Sequence, residues 1–331
     1  MPTMMMKKRA QGFSILELLV SAAVGLILIA GISSVYVASK RSYVEVERMS
    51  RITQNSRFAL QMITETLQHA GFTGEVPLGN IVADGSLDNP GNDCDGVTAA
   101  YNVEYYLFAA TTDNSGDVFG CITDGVANTS AIMIKNVRPM RMTDTDDDGI
   151  IDDPAALVGT STYIISNNSQ GILFDGADTA PTVNESGEVP NGSAWEYEVQ
   201  IFYIRDTGAD PTLSRRTLTW DGAAMSFVTE DLIAGVEAMS FLFGLDTNAD
   251  GEIDTYRTIA NMLGTEWAQV AAIETDVLVR SETPDPSHTD NEVYNLGGIA
   301  AIGPLADNYH RLVMQSTVSL RNPKFVIRGN L

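Results

Sequence analysis

Residues 7–30 read KKRAQGFSILELLVSAAVGLILIA, and from Phe13 to Val37 the only charged residue in 25 is Glu17. A helix needs about 20 apolar residues to cross a bilayer, so the run predicts a transmembrane helix over residues 13–38. Lys7, Lys8 and Arg9 precede it. They predict that residues 1–12 stay in the cytoplasm and that the chain beyond about residue 38 lies outside. A secretory signal carries an apolar stretch of only roughly 7–15 residues before its cleavage site, shorter than this one. A carboxylate in a spanning helix costs up to about 3 kcal/mol at the bilayer centre and less near an end. Glu17 therefore asks for a cationic partner.

No proline occurs between Pro2 and Pro77. Past the apolar run, Val46, Met49, Ile52, Ser56, Leu60, Ile63 and Leu67 recur at helical steps, with Glu47, Arg48, Arg51, Gln54, Arg57 and Gln61 on the other side. Gly71 is a natural stop. The pattern predicts one helix over 13–70, apolar all round to residue 38 and amphipathic over 39–70, with Gly25 and Gly31 as its soft points. Residues 71–331 form the head.

The head carries 12 basic and 39 acidic residues, a net charge of −27. Such a surface repels nucleic acid and anionic lipid and attracts divalent cations. Period-2 alternation marks strands. WEYEVQIFYI places Tyr197, Val199, Ile201 and Tyr203 on one face; VAAIETDVLV places Ala271, Ile273, Thr275, Val277 and Val279 on one face; RLVMQSTVSL places Leu312, Met314, Ser316, Val318 and Leu320 on one face. These read as half-buried strands, and AAYNVEYYLF, SAIMIKNV and TYIIS add further candidates. Gly/Asp/Asn-rich loops are expected around 79–97, 143–160, 175–194 and 282–292, the last one mobile. The fold class is α+β, a long N-terminal helix packed on a mostly antiparallel sheet.

Two loops fit D-x-[DN]-x-[DN]-G-x-x-D, the first nine positions of a calcium loop of EF-hand type. One offers Asp144, Asp146, Asp148 and Asp152, the other Asp246, Asn248, Asp250 and Asp254. Alternate oxygens point inward, glycine permits the turn, and the ninth position closes the ring. The twelfth position is Ala155 in one and Arg257 in the other, so the bidentate glutamate is missing. Ca²⁺ bound there would be weak and structural. Cys94 and Cys121 would be free thiols in the cytosol and a disulfide in an oxidising compartment. His69, His288 and His310 are scattered, and Trp195, Trp220 and Trp267 adjoin strands as core or sheet-face residues. No nucleophile, metal-protease, phosphate-loop or dinucleotide motif occurs, and the chain is not expected to be an enzyme.

QGFSILELLV, a glycine then Phe with Glu five residues past the glycine, resembles the class III signal of type IV pilins and type II secretion pseudopilins. The resemblance implies that a prepilin peptidase cuts between Gly12 and Phe13 and that Phe13 is N-methylated. It gives Glu17 an assembly role, neutralising the new α-amine of a neighbouring subunit at membrane depth. The segment SKRSY…SRITQNSRFALQMITETLQHAGFTG is similar to the PilW family of type IV minor pilins. So are FLFGLDTNADGEIDTYR, VAAIETDVLVRSE and STVSLRNP. The resemblance covers about residues 7–75 and 230–325, and residues 76–230 are placed by position only. It implies a minor pilin in the inner membrane with its head in the periplasm, later part of the extracellular pilus. Its partners would be prepilin peptidase, other minor pilins and the major pilin, and no nucleic acid. The resemblance also implies a role in priming pilus assembly, and the mature chain, 331 − 12 = 319 residues, is large for a repeating shaft subunit, which favours a rare or terminal position at the tip. A type II secretion pseudopilin and an uncleaved, signal-anchored calcium-binding adhesin stay open as alternatives.

Overall fold

The computed structural model describes residues 12 and 14–322. Residues 1–11 of the expected leader, Phe13 and residues 323–331 lie outside the described residues. The chain divides into two compact units, Met1–Arg51 and Ile52–Leu331.

In the first unit, α1 (Ile15–His69) begins and runs without a break at Gly25 or Gly31. Its apolar side chains are exposed, among them Ile15, Leu19, Leu26, Ile29 and Val35. Val46 and Met49, expected on the packed face, are exposed as well. Burial along the helix starts at Ile52, where the second unit begins.

The second unit opens with the rest of α1. Ile52, Ser56, Ala59, Leu60, Ile63 and Leu67 are its buried residues, one stripe at steps of three, four and seven. The one hydroxyl in the stripe, Ser56 Oγ, donates to Ile52 O at 2.8 Å and so is not left unpaired. The helix ends where Gly71 takes φ +70° and donates its N–H to Lys135 O at 3.1 Å. A Cβ at Gly71 would sit 2.9 Å from the Tyr106 ring, so glycine is required twice over, by conformation and by space.

The first sheet runs β1 (Ile81–Ala83), β5 (Gly171–Asp175), β4 (Thr162–Ser166), β6 (Ser193–Arg205), β3 (Ser130–Val137), β2 (Leu107–Thr111). β7 (Thr212–Trp220) pairs with β6 and with β8 (Met225–Ala234). The second sheet runs β10 (Thr255–Thr258), β9 (Val236–Leu245), β11 (Val270–Arg280), β12 (Arg311–Ser319). Among these pairings only β1–β5 is parallel. Gly235, at φ +86°, is the single residue joining β8 of one sheet to β9 of the other.

Ile132, Ile134, Phe202 and Ile204 of the first sheet share one core with Phe241, Phe243, Ile273 and Val277 of the second and with the α1 stripe. The alternate residues Met133, Val199, Ile201 and Tyr203 join a second core, covered by Val76, Cys94, Val118 and Ile122 from loops. The first sheet is thus packed on both faces. β3 is buried at all eight positions and β11 at nine of eleven, so the reading of VAAIETDVLV as a half-buried strand is corrected: sheets covered on both sides lose their alternation. In AAYNVEYYLF only Leu107 and Phe108 are in a strand. Its earlier part is turn, because the Ala99 and Asn102 carbonyls accept from Lys135 Nζ, at 2.6 Å each, instead of from a ladder.

The segment 282–292, expected to be mobile, is tied down. Arg311, with a side chain only 1% exposed, pairs with Asp290 at 2.6 Å, with Asp307 at 2.6 Å and with Glu237 at 2.5 Å. Burial works against the Arg311 charge, but Asp307, Glu237 and Asp290 outweigh it and raise its pKa. The Arg311 hydrogen bond holds Asp307 down at about 2. His310 Nε2 lies 3.3 Å from Asp285 and its ring stacks on His288 at 3.9 Å. By contrast, Arg138 makes two ion pairs, to Glu196 and Glu198, with its side chain 53% exposed. Removing one member of a buried ionic network costs about 3–5 kcal/mol, and an exposed pair is worth about 0–1. Arg311→Leu is therefore expected to destabilise the head by several times as much as Arg138→Leu in chemical denaturation. Equal losses would contradict this account of the clamp.

Candidate functional site

Glu17 lies in the first turn of α1. Ser14 precedes the helix, its Oγ accepts the Leu16 N–H at 3.3 Å, and its carbonyl accepts the Leu18 N–H at 3.1 Å. Ser14 is an N-cap, and Ser14-x-x-Glu17 has the spacing of a capping box. The Ser14 hydroxyl, three residues before Glu17, is the sequence signal that marks this helix start. A carboxylate in the first turn also meets the positive end of the helix dipole. Beyond it, two hydroxyls of the apolar run are satisfied within the helix: Ser21 donates to Glu17 O at 2.7 Å and Ser34 to Gly31 O at 2.8 Å. Pairing of this kind lowers the cost of carrying a hydroxyl into an apolar medium. An 18-residue window within it has mean hydropathy 2.5 and none of it is buried. The expected cut falls between Gly12, which is described and exposed, and Phe13, which is not.

The two acidic loops fold alike. In both, the first carboxylate accepts the glycine N–H: Asp144 from Gly149 at 2.6 Å, Asp246 from Gly251 at 2.7 Å. In both, the fifth carboxylate accepts the N–H two residues on, Asp148 from Ile150 and Asp250 from Glu252, at 2.8 Å each. In both, the ninth residue donates its N–H to the carbonyl before the loop, Asp152 to Thr143 at 3.2 Å and Asp254 to Leu245 at 2.9 Å. The fourth positions, Asp147 and Ala249, share φ +64°.

The loops differ in surroundings. Asp144, Asp146 and Asp148 bring one oxygen each within 4.8 Å of one another, half-buried to exposed. Asp148 pushes the Asp146 carboxyl above its ordinary pKa. In the second loop Asp246 is 2% exposed and its Oδ1 is buried without a hydrogen-bond partner. Thr247 holds Asp254 below the usual carboxylate range, through its hydroxyl at 2.7 Å and its N–H at 2.8 Å. The twelfth residues are placed elsewhere: Arg257 is on β10, 3.5 Å from Glu266.

Residues 7–33 match the prokaryotic N-terminal methylation motif, and residues 201–322 match the family model of type IV pilus-assembly protein W. The two matched parts are similar to parts of a type IV pilin of the PilW family. No curated protein and no solved structure matches it. The PilW match starts inside β6 and takes in the whole second sheet, the loop 246–254 and the Arg311 clamp. It reaches further back than the resemblance at 230 and leaves residues 34–200 outside both matches. Pilin families are structural, and the N-terminal motif with an exposed apolar helix fits membrane anchoring and incorporation into a pilus.

Outside the matched parts of this PilW-like head, Cys94 and Cys121 form a disulfide, with Cα atoms 4.7 Å apart and a sequence separation of 27. Closing a loop of that length removes about 3–4 kcal/mol of entropy from the unfolded chain. Arg216 Nη1 donates to Cys121 O and Nη2 to Asn92 O, which seats the bridge against β7. Asp93 Oδ1 accepts from Cys94 N at 2.7 Å and Ala100 N at 2.9 Å.

Behind this bridge Lys135 is 2% exposed. Burial pushes its pKa down to about 7, against a smaller opposite pull from Asp93. Its ordinary value is 10.5, so between those limits the unfolded chain binds more protons and stability rises with pH. Below pH 7 both states are charged and the burial cost is present in full. The head is expected to gain stability from pH 7 to 9 with a slope approaching 1.4 kcal/mol per unit for one proton. Denaturant midpoints should show that slope in the native chain and a flat line in Lys135→Met. A native midpoint independent of pH would overturn the reading.

Proposed function

We propose that this chain is a minor pilin that primes assembly of a type IV pilus and is incorporated into it at the tip. The observation that carries the reading is the order of parts in one chain. A basic cluster, Gly12, Ser14, Glu17 and an exposed apolar helix come first, and a head with a PilW match over 201–322 follows. The prepilin enters the inner membrane with its head in the periplasm. Prepilin peptidase cuts after Gly12 and methylates Phe13. The new α-amine and the Glu17 carboxylate of a neighbouring subunit are both charges in a low-dielectric surrounding. Each is costly alone, and together they cancel much of that cost. Pairing of this kind fixes the axial stagger between subunits, while the exposed apolar side chains supply the contact area. The size of the mature chain supports a rare, terminal position, and its partners are other minor pilins and the major pilin.

The Ser14–Glu17 spacing gives the carboxylate a rival role inside its own helix, and the two roles separate by substitution. Glutamine keeps the capping geometry and loses the charge. Glu17→Gln and Glu17→Ala are both expected to be made and cleaved at native levels and to be lost from sheared pili by tenfold or more. Native recovery of Glu17→Gln would mean that Glu17 serves as a cap, and the pairing with the amine would be wrong.

A further inference from the structure

We propose that the loop Asp246–Asp254, which closes the β9–β10 hairpin, is a calcium site organised around the buried Asp246 carboxylate. Asp246 is 2% exposed, and its Oδ1 is buried with no hydrogen-bond donor. Its Oδ2 accepts the Gly251 N–H at 2.7 Å, so the carboxylate turns into the loop. Its own N–H is fixed to Gln269 O at 3.0 Å, at the start of β11. A buried oxygen without a donor is rare in native proteins and points to an unseen partner, water or an ion. An anionic oxygen left buried in this way is costly unless a cation or a donor stands beside it, and in an acidic loop the cation is the natural choice.

The remaining donors fit a hard cation. Asn248, Asp250 and Asp254 stand at the alternate positions of the same turn, and every side-chain candidate is oxygen. No thiolate or imidazole belongs to the loop, which disfavours zinc and copper. Calcium accepts six to eight oxygens in flexible geometry, whereas magnesium demands a near-ideal octahedron and keeps its waters. The twelfth-position carboxylate is replaced by Arg257, which is engaged with Glu266 at 3.5 Å, so water completes the shell. The affinity belongs to the weak range of extracellular modules, Kd on the order of 10⁻⁴–10⁻³ M. Filling the site joins the end of β9 to the start of β10, both beside the main core. Loop 144–152 repeats the chain path, but its carboxylates are half-buried to exposed and it serves as the internal comparison.

The test is calcium and magnesium titration of the full-length chain in detergent after chelation, read by calorimetry and by thermal midpoint. Calcium at about 5 mM is expected to raise the midpoint by several degrees, and equal magnesium by less. Asp246→Asn is expected to weaken binding at least tenfold. Asp254→Asn, at an exposed position, should do the same without endangering the fold, whereas Asp146→Asn should leave this site unchanged. No calcium heat and no midpoint shift up to that concentration would overturn the proposal. So would binding that survives both Asp246→Asn and Asp254→Asn, since the ion would then sit elsewhere. Neither result bears on Glu17 or on pilus assembly.

Discussion

The main core of the head is closed by a helix that does not belong to the head alone. Ile52, Ala59, Leu60, Ile63 and Leu67 share that core with residues of both sheets, and the helix that carries them began at Ile15. Large buried side chains such as Ile63 and Leu67, both with no exposed surface, each contribute about 2–5 kcal/mol on the scale of truncation to alanine. The head is therefore defined from Ile52 onward and not from the end of the helix. Whatever holds the first part of α1 holds an element whose last turns are core.

That first part sets a second demand. Ile15 to Val37 present apolar side chains with no covering among the described residues, and the Ser21 and Ser34 hydroxyls are already paired inside the helix. Such a surface is stable only in lipid or against other helices like itself. Glu17 is the one group that neither surrounding accepts without compensation. A cationic amine four residues before the carboxylate's own position, in a neighbouring chain, would answer it, which is how the chemistry of the N-terminus and the packing of the helix become one problem.

Much of this was legible in the sequence for physical reasons. The apolar run, Glu17, the absence of proline and the stop at Gly71 are local signals, and all lie on one helix. The alternation in β6 correctly sorted Val199, Ile201 and Tyr203 from Phe202 and Ile204. Period 2 does not say whether the opposite face is covered, so β11 read as half-buried when nine of its eleven positions are buried. The stripe on α1 extends in sequence to Val46, but burial needs a facing sheet, and that begins at Ile52. The Arg311 clamp joins Glu237 to Asp290 and Asp307, and the stack of His288 on His310 crosses a long loop. No spacing rule announces such contacts. In the acidic loops the common chain path was legible from the shared spacing, but only the fold distinguishes a buried Asp246 from a half-buried Asp144.

The central claim is that the chain is matured at its N-terminus so that a new amine can meet Glu17. The most direct measurement is peptide mass spectrometry of the N-terminus of the protein isolated from the membranes of its own host. A chain that starts at N-methylated Phe13 is the predicted result. A chain that retains residues 1–12 would contradict the account: Glu17 would have no new amine to meet, and an ordinary anchored protein would take the place of the pilin.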